Sequence, residues 1–324
     1  MRALYFDRFG GPEVLRVTEL PDPESVEGTA VVAVRAASVN PSDVKNVAGV
    51  MEGTQLPRVP GRDFAGIVID GPPQWHGAEV WGTGGDVGFS LDGSHAEYIR
   101  VPVTALARKP EALSFEEASA VGVNFVVGWL GAVEFADLGP GETVVVIGVS
   151  GGVGGAVAQI ARTRGARVLG VDRVPPADGT PAAQIIDAFI PFVPESASVA
   201  EAVMEHTAGR GAEVVYDAVG GVTTAAALAS LAQQGRLVVI SAVGSPTVKI
   251  NLPDFYHREI RMLGADSRKL DLTESAQRLT LLTPYFESGK FRPLRVAHHF
   301  GLDDGHKAYT AVADQVAGRV VIAP

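Results

Sequence analysis

The stretch that most constrains what this chain can fold into runs from Thr143 to Arg164. Five β-branched residues, Thr143-Val144-Val145-Val146-Ile147, lead into Gly148-Val149-Ser150-Gly151-Gly152-Val153-Gly154, and an alanine-rich segment continues to Arg164. A short apolar run bounded by glycine reads as a buried strand, and the alanine-rich segment as a helix starting near Gly152. Strand, glycine turn and helix in that order suit a pyrophosphate. Gly151 and Gly152 let the backbone approach it, the amides at the helix N-terminus favour its charge, and Gly154 allows the helix to pack closely on the strand. Ser150 and Val153 belong to the same cradle. The first position of the usual G-x-G-x-x-G spacing is Val149, so the turn is expected to differ from the common one or to lengthen. A glycine turn that merely starts a helix is the plainer alternative.

A second strand, Arg167–Val171, ends at Asp172, 18 residues past Gly154. A carboxylate there accepts hydrogen bonds from the adenosine ribose hydroxyls and repels a 2′-phosphate, which favours NAD(H). The adjacent Arg173 is suited to pairing with that phosphate and so to admitting NADP(H). The bland role for Asp172 is a cap on the following turn. Further strands fit Glu213–Asp217, Arg236–Ile240 and Glu259–Leu263, with helices near 196–208 and 222–232. Together these predict a doubly wound α/β fold with a parallel sheet, whose ligands sit at the C-terminal ends of its strands. That rule points to Val219 and Gly220 after one strand and to Ser241, Ala242 and Val243 after another, where small residues leave room for the nicotinamide half. Ordinary strand-to-helix turns explain any one of them equally well. Four prolines between Val174 and Pro194 argue against a full crossover helix in that interval.

Residues 1–118 have a different texture, with short alternating or β-branched runs such as Ala30–Ala36 and Gly66–Ile69 broken by Pro and Gly. We read 1–118 with 270–324 as a β-rich domain and 119–269 as the dinucleotide-binding domain inserted into it. After Leu270 the pattern predicts a helix, a strand near Leu294–His298, another helix and a closing strand Arg319–Ile322.

Composition excludes several classes of function. A net charge of −10 disfavours a surface that tracks nucleic-acid phosphates. The absence of cysteine removes disulfides, thiolate nucleophiles and thiolate metal sites together. No apolar run approaches the roughly 20 residues of a membrane span, and the N-terminus lacks a signal core. A soluble cytoplasmic protein with no membrane or nucleic-acid partner is therefore expected.

Several ordered segments carry a resemblance over essentially the whole chain: Phe9–Leu15, Ala36-Ala37-Ser38-Val39-Asn40-Pro41-Ser42-Asp43-Val44-Lys45, Pro60–Gly66, Ser94–Tyr98, Ser150–Gly154 and Gly318–Val321. On these residues the chain resembles the medium-chain dehydrogenase/reductase superfamily, in particular its zinc-free, quinone oxidoreductase-like (zeta-crystallin-like) branch. The resemblance implies a GroES-like catalytic domain built from both chain ends, an inserted Rossmann domain, an active cleft between them and commonly a homodimer. It also implies NAD(P)H-dependent hydride transfer to a quinone or an α,β-unsaturated carbonyl. Zinc-dependent relatives place Cys and His ligands where this chain has Asn40 and Arg62, and a third ligand near Asn124, so no catalytic zinc is expected.

Within that frame Asn40 and Lys45 are candidate donors to substrate or nicotinamide-ribose oxygens, and Asp43 is the residue that holds them. A polar loop with a solvated lysine is the alternative. Asn124 resembles the position that approaches the nicotinamide, its other role being an N-cap. Arg62 either faces the cleft, is solvated or pairs with Asp63. His95 and Tyr98 are expected to pack rather than to transfer protons, and Tyr5, Trp81, Phe125 and Trp129 to belong to the core. The strand Glu259–Leu263 is expected at a sheet edge, available for pairing in a dimer. Two other functions fit the same chain: an enoyl-thioester reductase and a catalytically silent nucleotide-binding protein.

Overall fold

The computed structural model describes residues 1–194 and 198–324. It divides into two compact units, one made of Met1–Val126 with Ser267–Pro324 and the other of Val127–Asp266.

In the first unit the short strands β1 (Arg2–Tyr5) and β2 (Arg16–Glu19) pair with each other. The long β3 (Thr29–Val39) is followed by β4 (Phe64–Asp70), β5 (Glu79–Gly82), β6 (Tyr98–Pro102) and β7 (Ala107–Arg108). The second unit contains β8 (Thr143–Ile147), β9 (Arg167–Asp172), β10 (Ala188–Pro191), β11 (Ala212–Asp217), β12 (Leu231–Val239) and β13 (Arg261–Gly264). The chain then returns to the first unit for β14 (Val296–Gly301) and β15 (Arg319–Ala323).

Among the described residues the first unit's main sheet has the order β14-β15-β3-β4-β5-β7, with β6 also on β3. The closing strand lies antiparallel against β3, Val320 opposite Val39. One core gathers Val32, Val34, Phe64, Val68, Val80 and Ile99. Another joins the two chain ends through Leu4, Phe6, Val39, Tyr309, Val320 and Ile322.

The second unit is a parallel sheet of order β10-β9-β8-β11-β12-β13, the doubly wound arrangement expected. All five residues of β8 are buried, because helices cover both faces of such a sheet. The chain leaves β8 to one side for β9 and β10 and to the other for β11 to β13, so a crevice opens beyond the C-terminal end of β8.

The structure corrects two local expectations and adds detail at two others. The proline-rich interval holds a short helix, Pro181–Ile185, and β10, which the prolines had obscured. Pro181 sits in the first helical turn and Pro191 ends an edge strand, places where a missing N–H costs little. The helix expected at 222–232 is confined to Thr224–Ala229, since Leu231 already pairs in β12. The last sheet strand begins at Arg261, because Glu259 adopts φ +52°, which is incompatible with extended backbone. The glycine turn differs from the common one, as expected, with Gly148 at φ +81° as its left-handed residue. The helix expected near 196–208 spans Ser198–His206, its expected first two residues lying outside the described ones.

Val149 is wholly buried, packs towards Gly170 and donates its amide to the Val171 carbonyl, so its side chain belongs to the core. The helix Gly152–Thr163 comes so close to the turn that a Cβ on Gly154 would collide with the carbonyl oxygen of Gly148. Gly154→Ala is therefore expected to lower stability by about 1–3 kcal/mol through displacement of the helix, as read from the thermal unfolding midpoint. An unchanged midpoint would show that the helix does not depend on this close approach.

Candidate active site

The crevice beyond β8 is lined by backbone. Gly151, the N-cap of the helix Gly152–Thr163, provides no capping side chain. The amides of Gly152, Val153 and Gly154 are the first of that helix and have no intrahelical acceptor. Gly151 is exposed, Gly152 and Val153 are half-buried and Gly154 is buried, so the first of these donors stand at the accessible rim of the crevice. Ser150 shapes the entrance, its amide donating to Asp172 Oδ2 (3.0 Å) and its hydroxyl to the Val174 carbonyl (3.0 Å). The other Asp172 oxygen accepts from the Arg173 amide at 2.8 Å. Asp172 thus ties the end of β9 to the glycine turn and remains half-buried beside an exposed Arg173.

On the other side of β8, the fully buried Asp217 ends β11 and accepts from the amides of Val219 (3.2 Å) and Gly220 (2.8 Å). Val222 donates to the carbonyl of Val243, and Gly221 bridges to Val243. The structure therefore brings Val219 and Gly220 against the 241–243 segment, where Ala242 and Val243 are exposed and Ser241 is half-buried. The donor pattern at 151–154 suits an anionic group. A cavity of about 200 Å³ elsewhere on this unit, lined by Leu228, Ile250, Asn251, Asp254 and Phe255 among others, contains none of the candidate residues.

In the first unit Asn40 and Asp43 belong to a buried polar network centred on Asp63. Asp63 Oδ2 accepts from Ser38 Oγ (3.1 Å) and Asn40 Nδ2 (2.9 Å), and Oδ1 from the Val123 amide (3.0 Å). The Arg319 guanidinium donates to Asn40 Oδ1 (2.7 Å) and Ser38 Oγ (2.9 Å). Asn40 is thus engaged at both ends of its amide, while its backbone N–H donates to Asp43 Oδ2 at 2.7 Å. Lys45 lies half-buried on the same short helix, Pro41–Val47, with no side-chain hydrogen bond or ion pair among the described residues. Asn124 lies within the helix Gly122–Trp129 and donates to the Ala120 carbonyl (3.1 Å), so it is not an N-cap. Arg62 is buried, its Nε donating to the Gly84 carbonyl (3.0 Å) and Nη2 lying 3.3 Å from Ser267 Oγ, so it is not solvated.

His95 is a packing residue, as expected. One ring nitrogen, Nε2, lies 3.2 Å from the Ser38 carbonyl and the other, Nδ1, 3.0 Å from Tyr309 Oη. A carbonyl only accepts, so Nε2 carries the proton and Tyr309 donates to Nδ1. Burial lowers the imidazole pKa to about 4 and keeps it neutral. Burial also raises the Asp43 carboxyl to about 7, with the nearby Asp63 charge adding to the effect and the Asn40 amide opposing it.

Sequence reasoning missed Asp63, Arg319 and Tyr309 as members of this network. The available signal was charge inside apolar strands: Asp63 directly precedes Phe64-Ala65, and Arg319 precedes Val320-Val321-Ile322. A charge in such a setting is rarely buried without partners.

With this geometry established, comparison with known proteins assigns the class. A family profile described as alcohol dehydrogenase GroES-like domain matches residues 26–111, and one described as zinc-binding dehydrogenase matches 152–280. A zinc-type alcohol dehydrogenase-like protein of Schizosaccharomyces pombe is 34% identical over 95% of this chain and 92% of its own length. The quinone oxidoreductase of Homo sapiens is 28% identical over 91% of this chain and 88% of its own length. A mycobacterial protein solved in complex with NADPH superimposes with a TM-score of 0.86 at 26% identity, over the full length of both chains. The chain belongs to the medium-chain dehydrogenase/reductase superfamily and is an oxidoreductase of that class.

The zinc in the name of one matching family finds no suitable donor set here. The sequence has no cysteine, and among the described residues no three of His, Asp and Glu cluster to hold a metal ion. A guanidinium at Arg62 is not a ligand, and the amide of Asn40 is turned to Asp63 and Arg319.

The Asp43 carboxyl titrates at about 7 when folded against 3.8 as its ordinary value. Its contribution to stability is therefore fully present below pH 3.8 and is lost as pH rises to about 7. Asp43→Asn has no such titration. The thermal midpoint of the variant should gain on that of the unaltered protein as pH rises from about 4 to 7, then hold a constant difference. A difference that is constant from pH 4 to 8 would contradict a protonated Asp43.

Proposed function

We propose that the chain is a zinc-independent reductase that uses NAD(P)H to reduce a quinone or an α,β-unsaturated carbonyl. The observation that carries this reading is the glycine-rich helix N-terminus at Gly151–Gly154, without a capping side chain, beside the end of β8. Three oriented amides and the positive end of a helix dipole at this position suit a pyrophosphate. The bound nicotinamide would supply the hydride. The chain's own residues then bind, orient and stabilise charge.

At the adenosine end Asp172 accepts from ribose hydroxyls, which favours NAD(H) over the 2′-phosphorylated form, although the adjacent Arg173 has the chemistry that pairs with that phosphate. At the other end Val219, Gly220, Ser241, Ala242 and Val243 form the ledge for the nicotinamide. For the reacting oxygen we assign Lys45 as the donor, because its ammonium makes no hydrogen bond or ion pair among the described residues, with Asn124 a second contact to cofactor or substrate. Asn40, held at both ends, and Asp43, bound to its amide, orient the segment that carries Lys45. The proton that completes the reduction comes from water. The NADPH complex of the mycobacterial relative and the quinone oxidoreductase among the relatives support the same chemistry.

We also assign a homodimer in the cytoplasm. No helix among the described residues is long and apolar enough to cross a membrane. The outermost strand, β13, leaves Met262 40% exposed, and the preceding helix, Leu252–His257, leaves Leu252 and Tyr256 65% and 60% exposed. An unpaired edge flanked by apolar side chains is suited to a second copy of itself.

The function is tested by oxidation of NADH and NADPH with 1,4-benzoquinone and with a conjugated enone, before and after treatment with a chelator. Turnover should be unaffected by the chelator, and Asp172→Ala should lose about tenfold or more in NADH affinity relative to NADPH. No cofactor binding would eliminate the enzymatic reading, and unchanged selectivity would remove Asp172 from the ribose site. Light scattering should give twice the 33.8 kDa chain mass, and Met262→Lys should shift it to the single-chain value. A single-chain mass for the unaltered protein would refute the dimer.

A further inference from the structure

Asp217 ends β11 beside β8, and its carboxylate is fully buried. Four groups donate to it: the amides of Val219 (3.2 Å) and Gly220 (2.8 Å), the Thr223 hydroxyl (2.7 Å) and the Thr224 hydroxyl (3.1 Å). Among the described residues no lysine or arginine pairs with it. A buried carboxylate satisfied only by neutral donors from the next seven residues draws residues 217–224 into a closed turn. Removing the acceptor would leave the Gly220 amide and the Thr224 hydroxyl buried without it, while the Thr223 hydroxyl keeps only a longer bond to the Gly220 carbonyl (3.3 Å).

The turn is wedged between two other strand ends. Gly220 and Gly221 have φ values of +69° and +60°, and a Cβ on them would collide with the carbonyl oxygens of Ser241 and Val243 respectively. On the opposite side, a Cβ on Gly148 would lie 3.1 Å from Val219 Cγ2. The ring around Asp217 therefore sets the spacing between the glycine turn after β8 and the 241–243 segment after β12. The pyrophosphate end has its own fixings, since Ser150 is held by Asp172 and Gly151 donates to the Gly148 carbonyl at 3.0 Å. Those bonds do not involve Asp217.

We infer that Asp217 is a positioning residue for the nicotinamide half of the cofactor, acting through the turn it closes and leaving the adenosine half untouched. This rests on the reading of the crevice as a dinucleotide site. The inference separates two halves of one ligand, so its test compares them by titration calorimetry. Binding of NADH is measured against ADP-ribose, and of NADPH against 2′-phospho-ADP-ribose, for the unaltered protein, Asp217→Asn, Asp217→Ala and Thr223→Val.

Asp217→Ala should weaken the preferred dinucleotide about tenfold or more while the matching nicotinamide-free probe changes by less than about twofold. Asp217→Asn keeps an acceptor oxygen for the amides and should show a smaller loss of the same kind. Thr223→Val deletes one donor without burying a new orphan amide and should reduce the ratio of the two affinities about threefold. It provides the measurement if Asp217→Ala does not fold. Equal losses for dinucleotide and nicotinamide-free probe, or no loss in either, would overturn the inference while leaving the site intact. An unaltered protein that binds neither dinucleotide would overturn the reading of the crevice and this inference with it.

Discussion

The close approach of two backbones at Gly148 and Gly154 is the constraint on which the second unit depends. No side chain fits between the carbonyl of Gly148 and the first turn of the helix Gly152–Thr163. The helix can therefore dock with its N-terminus directly over the end of a fully buried strand. That docking leaves three amides without intrahelical partners beside the point where the sheet reverses direction. The same backbone approach thus provides both the packing and the polarity of the crevice.

Charged side chains bonded to backbone and amide groups organise each unit in its own way. In the second unit the carboxylates of Asp172 and Asp217 satisfy backbone amides on the two sides of β8 and hold the loops that follow the strands. In the first unit Asp63 and Arg319 stand on either side of the Asn40 amide, so its oxygen faces the guanidinium and its nitrogen the carboxylate. Arg319 enters this network on the closing strand, which reaches it by pairing with β3. The chain's last strand is thereby coupled to the segment bearing Asn40, Asp43 and Lys45. Such a network is costly to leave half satisfied, which links the stability of the fold to the orientation of that segment.

Much of this was legible in the linear order of residues, and the failures have identifiable causes. Gly154 was assigned its packing role correctly because only a residue without Cβ permits that contact. That the turn departs from the common one was legible from Val149, whereas the residue that takes positive φ, Gly148, was shown only by the structure. Strand β10 was hidden by prolines that turn out to occupy a helix start and a sheet edge. For Asn124 the alternative role as an N-cap fails because the helix begins two residues earlier.

The sequence by itself determined the alternation of strand and helix, the glycine turn, the absence of thiolate ligands and the membership of a superfamily. The first three follow from local periodicity, from the special freedom of glycine and from residue chemistry, and the membership from the resemblance of ordered motifs spread along the whole chain. The tertiary structure decided which polar side chains are consumed internally. Asn40 and Arg319 are 279 residues apart, and Asp63 reaches Val123 across 60. Hydrogen bonds over such separations arise from the pairing of strands and the docking of helices, so composition and spacing carry no record of them.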